Sequence, residues 1–380
     1  MNRFEKFTPP VKKEKPVSLA EKLKEFKAQL MKKAQEIFRA NRGELDLTSA
    51  EERLRELNPL DQSDMFIDFD GQIGEGTASL RLIGQDDKNH DPGREKDYDK
   101  WDLTSCEEAE RWLKREIIVN EKLAKFYQGE SISADSLIDA NKDVSSGDRY
   151  LLLSREAADR EPANYQEAEG RAIMRTLLDL QENLKATDMI QEIMAENGIT
   201  TKLEMEQQIF EDYFDHFDGY KENTGVILSE MKHKIKEEIA LALEKYRPVI
   251  ENRQLAGDEY SLTHGNCNLG AVIFKQGRAL LADWRRAGKT QNKELSLVYD
   301  LGEIMADKLE NTDSIKNTEA FIAGIEAELY RNYGDKDRGV ATAVINLAKF
   351  RSLAMILDGL RGEKKKYALT VLRQAIEASQ

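Results

Sequence analysis

The stretch "THGNCNLGAVIF", residues 263–274, is followed nine residues later by "DW", residues 283–284. His264, Gly265, Asn266, Cys267 and Asn268 set polar and small residues ahead of a short apolar run. A carboxylate, Asp283, then returns within the span of one hairpin. The pattern predicts a β island over 260–284 in a chain that reads as mostly helical after Pro162. Read alone, Asp283 is either a turn residue after a buried strand or a hard oxygen ligand suited to Mg²⁺.

The 380 residues suffice for a large core and suggest two lobes. Lys and Arg number 57 against 71 Asp and Glu, a formal charge of −14, which excludes a general nucleic-acid binder with a basic face. The apolar runs "YLLL", 150–153, and "GAVIF", 270–274, are far too short for a membrane span. "MNRFEKFTPPVKKEKP" carries charges without an apolar core segment, so no secretory signal is read there. Cys106 and Cys267 make neither a disulfide framework nor a metal cluster. These features together predict a soluble protein of a reducing cytoplasm, with neither nucleic acid nor membrane as partner.

Residues 1–17 read as a flexible basic tail, and 18–59 as a helical extension. Leu19, Leu23, Phe26, Leu30, Ile37 and Phe38 recur at helical steps, and "TSAEERLREL", 48–57, starts a second helix capped by Thr48 or Ser49. The apolar face of this extension either packs on the body of the protein or forms a partner or dimer surface through residues 18–57. "MFIDFDGQIGEGTASLRLIG", 65–84, reads as a hairpin about a glycine-rich centre, "SCEEAERWLKREIIVNEKLAKFY", 105–127, as a helix, and "RYLLLSREA", 149–157, as a buried strand. Residues 60–160 thus form a small lobe of about five short strands and one helix. Residues 161–380 form a helical lobe carrying the β island, with helices over 165–186, 201–217 and 224–246, and again from about 295 to the end.

This order of parts, with the 264–284 stretch, resembles the aminoglycoside phosphotransferase and choline-kinase group. The family signature H-G-D-x-x-x-x-N, a hairpin, then an apolar residue, Asp and Trp or Phe, is met at His264, Gly265, Asp283 and Trp284. "VYDLGEIM", 298–305, and "AIMRTLLDLQEN", 172–183, resemble two further family segments, with Gln181 in place of the usual His. The resemblance implies an α+β, protein-kinase-like bilobal fold: a small antiparallel sheet lobe with one helix, and a large helical lobe. It also implies ATP and Mg²⁺ as ligands. Asp283 would hold the metal. Gly71, Gly74 and Gly76 would fold over the phosphates, or else merely turn a hairpin. A strand lysine would hold the phosphates, with Lys100 paired to Glu116; Lys88, Lys96 and Glu121 are the alternatives.

Two positions depart from the signature. Asn266 stands where the family has its catalytic Asp, and Ala271 where it has a metal-binding Asn, with Asn268 as a substitute ligand. An amide can orient a hydroxyl but cannot take its proton, a loss of about 10²–10⁴-fold. Alanine offers a metal no side-chain oxygen. The expectation is a protein that binds ATP-Mg with impaired transfer, a pseudokinase. Two other readings stay open: an active kinase for a hydroxyl of a cationic small molecule, and a scaffold acting through its N-terminal helices. His264 is expected to support the loop by hydrogen bonds, and Cys267 to be a small residue in a tight turn. His90, His216 and His233 show no ligand spacing.

Overall fold

The computed structural model describes residues 19–56, 66–83, 107–126, 135–141, 150–155, 159, 164–183, 227–253, 261–290, 292–311, 314–356 and 360–378. Lys88, Lys96 and Lys100, the tail and the helix expected over 201–217 lie outside them.

The small lobe is built on a five-stranded antiparallel sheet. Its strands are β1 (Gly43–Leu45), β2 (Phe66–Ile73), β3 (Gly76–Ile83), β4 (Asp135–Asn141) and β5 (Tyr150–Arg155), in spatial order β1-β2-β3-β5-β4. Helix α3 (Glu107–Phe126) connects β3 to β4. The hairpin register sets Ile67 opposite Leu82, Asp68 opposite Arg81 and Phe69 opposite Leu80. Alternation then sorts the strands into two faces. Ile67, Phe69, Leu80 and Leu82 form one apolar face, which packs on Leu30, Ala34, Phe38 and Leu54. Those four residues come from α1 (Leu19–Ala40) and α2 (Leu47–Glu56). The extension therefore turns its apolar stripe onto the sheet, and between its helices it contributes the edge strand β1. The opposite face carries Leu151 and Leu153 against Leu113 and Ile117 of α3, and beside them the polar pair Asp68 and Arg81.

Helix α2 is capped two residues before the first of the two expected hydroxyls. Asp46 Oδ1 accepts the amides of Thr48 at 3.0 Å and Ser49 at 3.1 Å. A carboxylate there satisfies two first-turn donors and complements the helix dipole, so it outcompetes a hydroxyl inside the turn.

The large lobe has six described helices: α4 (Glu167–Asn183), α5 (Ile227–Glu251), α6 (Lys293–Asn311), α7 (Ile315–Tyr333), α8 (Arg338–Ile356) and α9 (Gly362–Glu377). The β island is two short ribbons, β6 (Ser261–Thr263) with β9 (Gly288–Thr290), and β7 (Val272–Lys275) with β8 (Arg278–Leu281). One continuous core runs through these elements and takes in Val119 and Leu123 of α3. α3 also rests on the turn Trp284–Arg286, so the helix of the small lobe and the signature turn share an interface. The architecture is α+β and bilobal. Among the described residues no helix is long and apolar enough to cross a membrane.

Gly71 makes the seating of the extension testable. A Cβ there would meet Glu44 O at 2.4 Å and Phe38 Cε1 at 2.5 Å. Gly71→Ala is expected to cost about 1–3 kcal/mol, the range for overpacking, by urea unfolding. An unchanged midpoint would mean α1 is not seated there.

Candidate functional site

The turn at 263–269 is held from below by one stripe of α6. Asp300, Glu303 and Asp307 are spaced three and four residues apart and therefore share a helix face. Asp300 accepts the amides of His264 and Gly265, each at 3.0 Å, and the Thr263 hydroxyl at 2.8 Å. Glu303 takes the Cys267 amide at 2.8 Å, and Asp307 the Leu269 amide at 2.5 Å. Gln181 of α4 donates to Leu262 O at 2.7 Å and to Ser296 Oγ at 2.8 Å, tying β6 to two helices.

The backbone conformation of the turn is demanding. Gly265 has φ 69°, and a Cβ on it would lie 2.1 Å from Arg286 O. Both conformation and space therefore require glycine there. His264 is fully buried; its Nε2 lies 2.8 Å from Ala282 O, and the Asn266 amide approaches Nδ1 at 3.3 Å. A ring that accepts at Nδ1 carries its proton at Nε2, so it donates to the carbonyl preceding Asp283. Its edge also meets Trp284, with ring centroids 4.6 Å apart. The histidine joins the two ends of the signature. Cys267 is buried, and burial first, then Asp300 and Glu303, raises its thiol well above its usual range. A thiol so protonated is a small core group rather than a nucleophile.

Asp283 sits in the left-handed region, φ 61° and ψ 64°, which costs a non-glycine residue about 1 kcal/mol or more. Its carboxylate meets a side chain of the small lobe, and both oxygens are engaged. Asn266 Nδ2 donates to Oδ2 at 2.8 Å, and Arg81 Nη1 to Oδ1 at 3.2 Å. Arg81 comes down from β3 and is the hub. Its Nε and Nη2 grip Asp68 side-on at 2.7 and 3.1 Å, and its Nη1 also reaches Glu116 of α3 at 2.5 Å. The side chains of Arg81, Glu116 and Asp283 are 7%, 0% and 14% exposed, whereas that of Asp68 is 40% exposed. Burial opposes the charge of Arg81, but Asp68, Glu116 and Asp283 outweigh it and hold the guanidinium pKa well above its usual range.

These positions redraw several expectations. Glu116 faces a strand cation, Arg81, whereas Lys100 lies outside the described residues. Arg81 lies inside the hairpin itself, on β3. The signal was available: the register about the Gly74–Glu75 turn puts Asp68 directly across from Arg81, two charges on one face of a strand pair. Gly71, Gly74 and Gly76 serve the hairpin. Gly74, at φ 63°, makes the turn, and Gly71 admits Phe38 on the opposite face from Asp68. The turn lies roughly 20 Å from Arg81 at about 3.4 Å per residue along the strand. Asn268 is committed locally: Oδ1 accepts the Ala271 amide at 2.9 Å, and Nδ2 donates to Asn266 Oδ1 at 3.3 Å.

The described donor set is poor for Mg²⁺. A hard cation takes carboxylate oxygens, and a neighbouring guanidinium repels it. Arg81 Nη1 stands 3.2 Å from Asp283 Oδ1, Asn268 caps a turn, and position 271 offers only a methyl group. Among the described residues no group of three or more His, Cys, Asp or Glu is arranged to hold a metal ion.

No family model matches the chain, and no curated protein matches it. Among solved structures it is similar to a thermostable mutant of an aminoglycoside phosphotransferase in ternary complex with ADP and hygromycin B, at 12% identity and TM-score 0.41, covering 84% of this chain and 92% of that one. It is similar to wild-type aminoglycoside 2'-phosphotransferase-IIIa in its GDP complex, at 10% identity and TM-score 0.43, covering 87% and 97%. A choline/ethanolamine kinase family protein from Mesorhizobium loti is likewise similar, at 10% identity and TM-score 0.40, covering 82% and 84%.

The anchor beneath the turn has a pH signature. Burial pushes the Asp300 carboxyl from 3.8 up to about 7, against the hydrogen bonds it accepts from His264 and Gly265. Between those values the native carboxyl keeps a proton that the unfolded chain has released, so its contribution to stability falls as the pH rises through that window. Urea unfolding at about pH 5 and about pH 7.5 should show Asp300→Asn losing this part of the pH dependence. An identical pH difference in variant and wild type would remove Asp300 as its source.

Proposed function

We propose that this chain is a phosphotransferase-fold protein that receives the phosphates of a nucleotide between its lobes and does not transfer them. The observation that carries this reading is the double engagement of Asp283 by Arg81 and Asn266. In a transferring site that carboxylate would face a metal, and position 266 would accept the proton of an acceptor hydroxyl. Here an amide N–H and a guanidinium N–H point at Asp283 instead. Asn266 supplies a donor where a second carboxylate would repel, and that is a different task from general base. Among the described residues, Arg81 is a cation placed for a phosphate where both lobes converge. A guanidinium fork matches phosphate oxygens as readily as carboxylate oxygens. Nucleotide binding on this reading is independent of Mg²⁺, and the ATP-Mg pairing implied by the sequence motif reduces to ATP alone.

Phosphoryl transfer to choline or to an aminoglycoside, followed by ADP release with ATP and Mg²⁺, is expected to stay at the no-enzyme background. Asn266→Asp is expected to leave it there, because the new carboxylate would sit beside Asp283 with no metal to bridge the two. Mg²⁺-dependent ADP release above background, abolished by Asp283→Ala, would overturn the reading.

A further inference from the structure

We propose that the Nε/Nη2 edge of Arg81 is a phosphate-binding site that Asp68 fills from within the chain, so that Asp68 acts as an internal stand-in for the ligand. This rests on the reading above that phosphates enter the cleft, and it names the group they must displace. Three features of the network support it. First, the three carboxylates divide between the two edges of the planar guanidinium: Asp68 holds Nε and Nη2, while Glu116 and Asp283 share Nη1. The Nε/Nη2 edge is the bidentate fork that pairs with carboxylate or phosphate alike. Second, the partners differ in how freely they can leave. Glu116 is fully buried and Asp283 is 14% exposed, but Asp68 is 40% exposed and can turn its charge into water. Arg81, at 7% exposed, stays in place. Third, an anion already occupies this edge while Glu116 and Asp283 are both present, and that anion is Asp68. The site therefore accepts negative charge despite its two other carboxylates.

An intramolecular plug lowers the apparent affinity of any competing ligand by the fraction of time the fork stands open. Removing it should raise that affinity. The ligand chemistry is a phosphate or phosphoanhydride group, either free or carried on a nucleoside, and the test separates the two. Calorimetric titrations of the full chain in magnesium-free buffer with EDTA would use ATP and inorganic tripolyphosphate as probes. Asp68→Ala is expected to bind ATP about tenfold more tightly than wild type, the scale of one charge-assisted contact. Asp68→Asn, which keeps the shape of the side chain and removes its charge, should gain in the same direction. Asp70→Asn removes a charge from the same face of β2 without touching Arg81, and should shift affinity by less than about twofold. A parallel gain for tripolyphosphate assigns the effect to the phosphates; a gain for ATP alone assigns it to a nucleoside-borne phosphate. Equal affinity of wild type, Asp68→Ala and Asp68→Asn for both probes, with thermal melts showing all three folded, would overturn the proposal. So would an equal gain in Asp70→Asn, which would reduce the effect to net charge. Failure of the functional reading would look different: Mg²⁺-dependent transfer in the wild type, whatever Asp68 does.

Discussion

A single guanidinium holds the cleft together. Arg81 reaches three carboxylates drawn from three separate elements: Asp68 on β2, Glu116 on α3 and Asp283 at the end of the β7–β8 hairpin. Two belong to the small lobe and one to the large. Glu116, fully buried, would be costly to bury alone, and removing one partner of a buried pair typically costs about 3–5 kcal/mol. The sheet, the helix and the signature turn are therefore coupled in charge as well as in packing. The coupling is internal to the chain.

The support beneath the site contrasts with the site itself. Asp300, Glu303 and Asp307 hold the amides of the 264–269 turn, Gly265 keeps its left-handed turn under Arg286, and His264 bridges to the strand before Asp283. All of this positions a loop with accuracy. At positions 266 and 271 the loop carries an amide and a methyl group. A loop held this firmly keeps Asn266 in a fixed position, with its amide donating to Asp283.

Much of the scaffold was legible in the sequence because it follows from periodicity. The hairpin about Gly74, helix 107–126, the buried strand 150–155 and the β island were all read from apolar spacing and turn residues. The stretch "VYDLGEIM", 298–305, was read only by its resemblance, and the structure shows Asp300 and Glu303 holding the amides of the turn. Elements set by tertiary pairing were harder. Strand β1, three residues long, exists because β2 offers it an edge, and nothing local in "GEL" announces it. Asp46 was hidden by two neighbouring hydroxyls. Arg81 was missed because the expected chemistry was a lysine, and a charge in the middle of an apolar strand reads as an outward residue until register shows Asp68 facing it. The glycines 71, 74 and 76 stayed ambiguous in the sequence, because a turn and a tight packing contact produce the same composition as a loop that wraps phosphates.

The central claim is that Arg81 couples the two lobes through Asp283, and a double-mutant cycle measures that coupling directly. Arg81→Met, Asp283→Asn and the double variant would be unfolded in urea beside the wild type. The account predicts a coupling energy of about 1.5 kcal/mol or more, the lower end for close charge pairs. Single-variant losses that add to within about 0.5 kcal/mol would contradict it, because independent sites add.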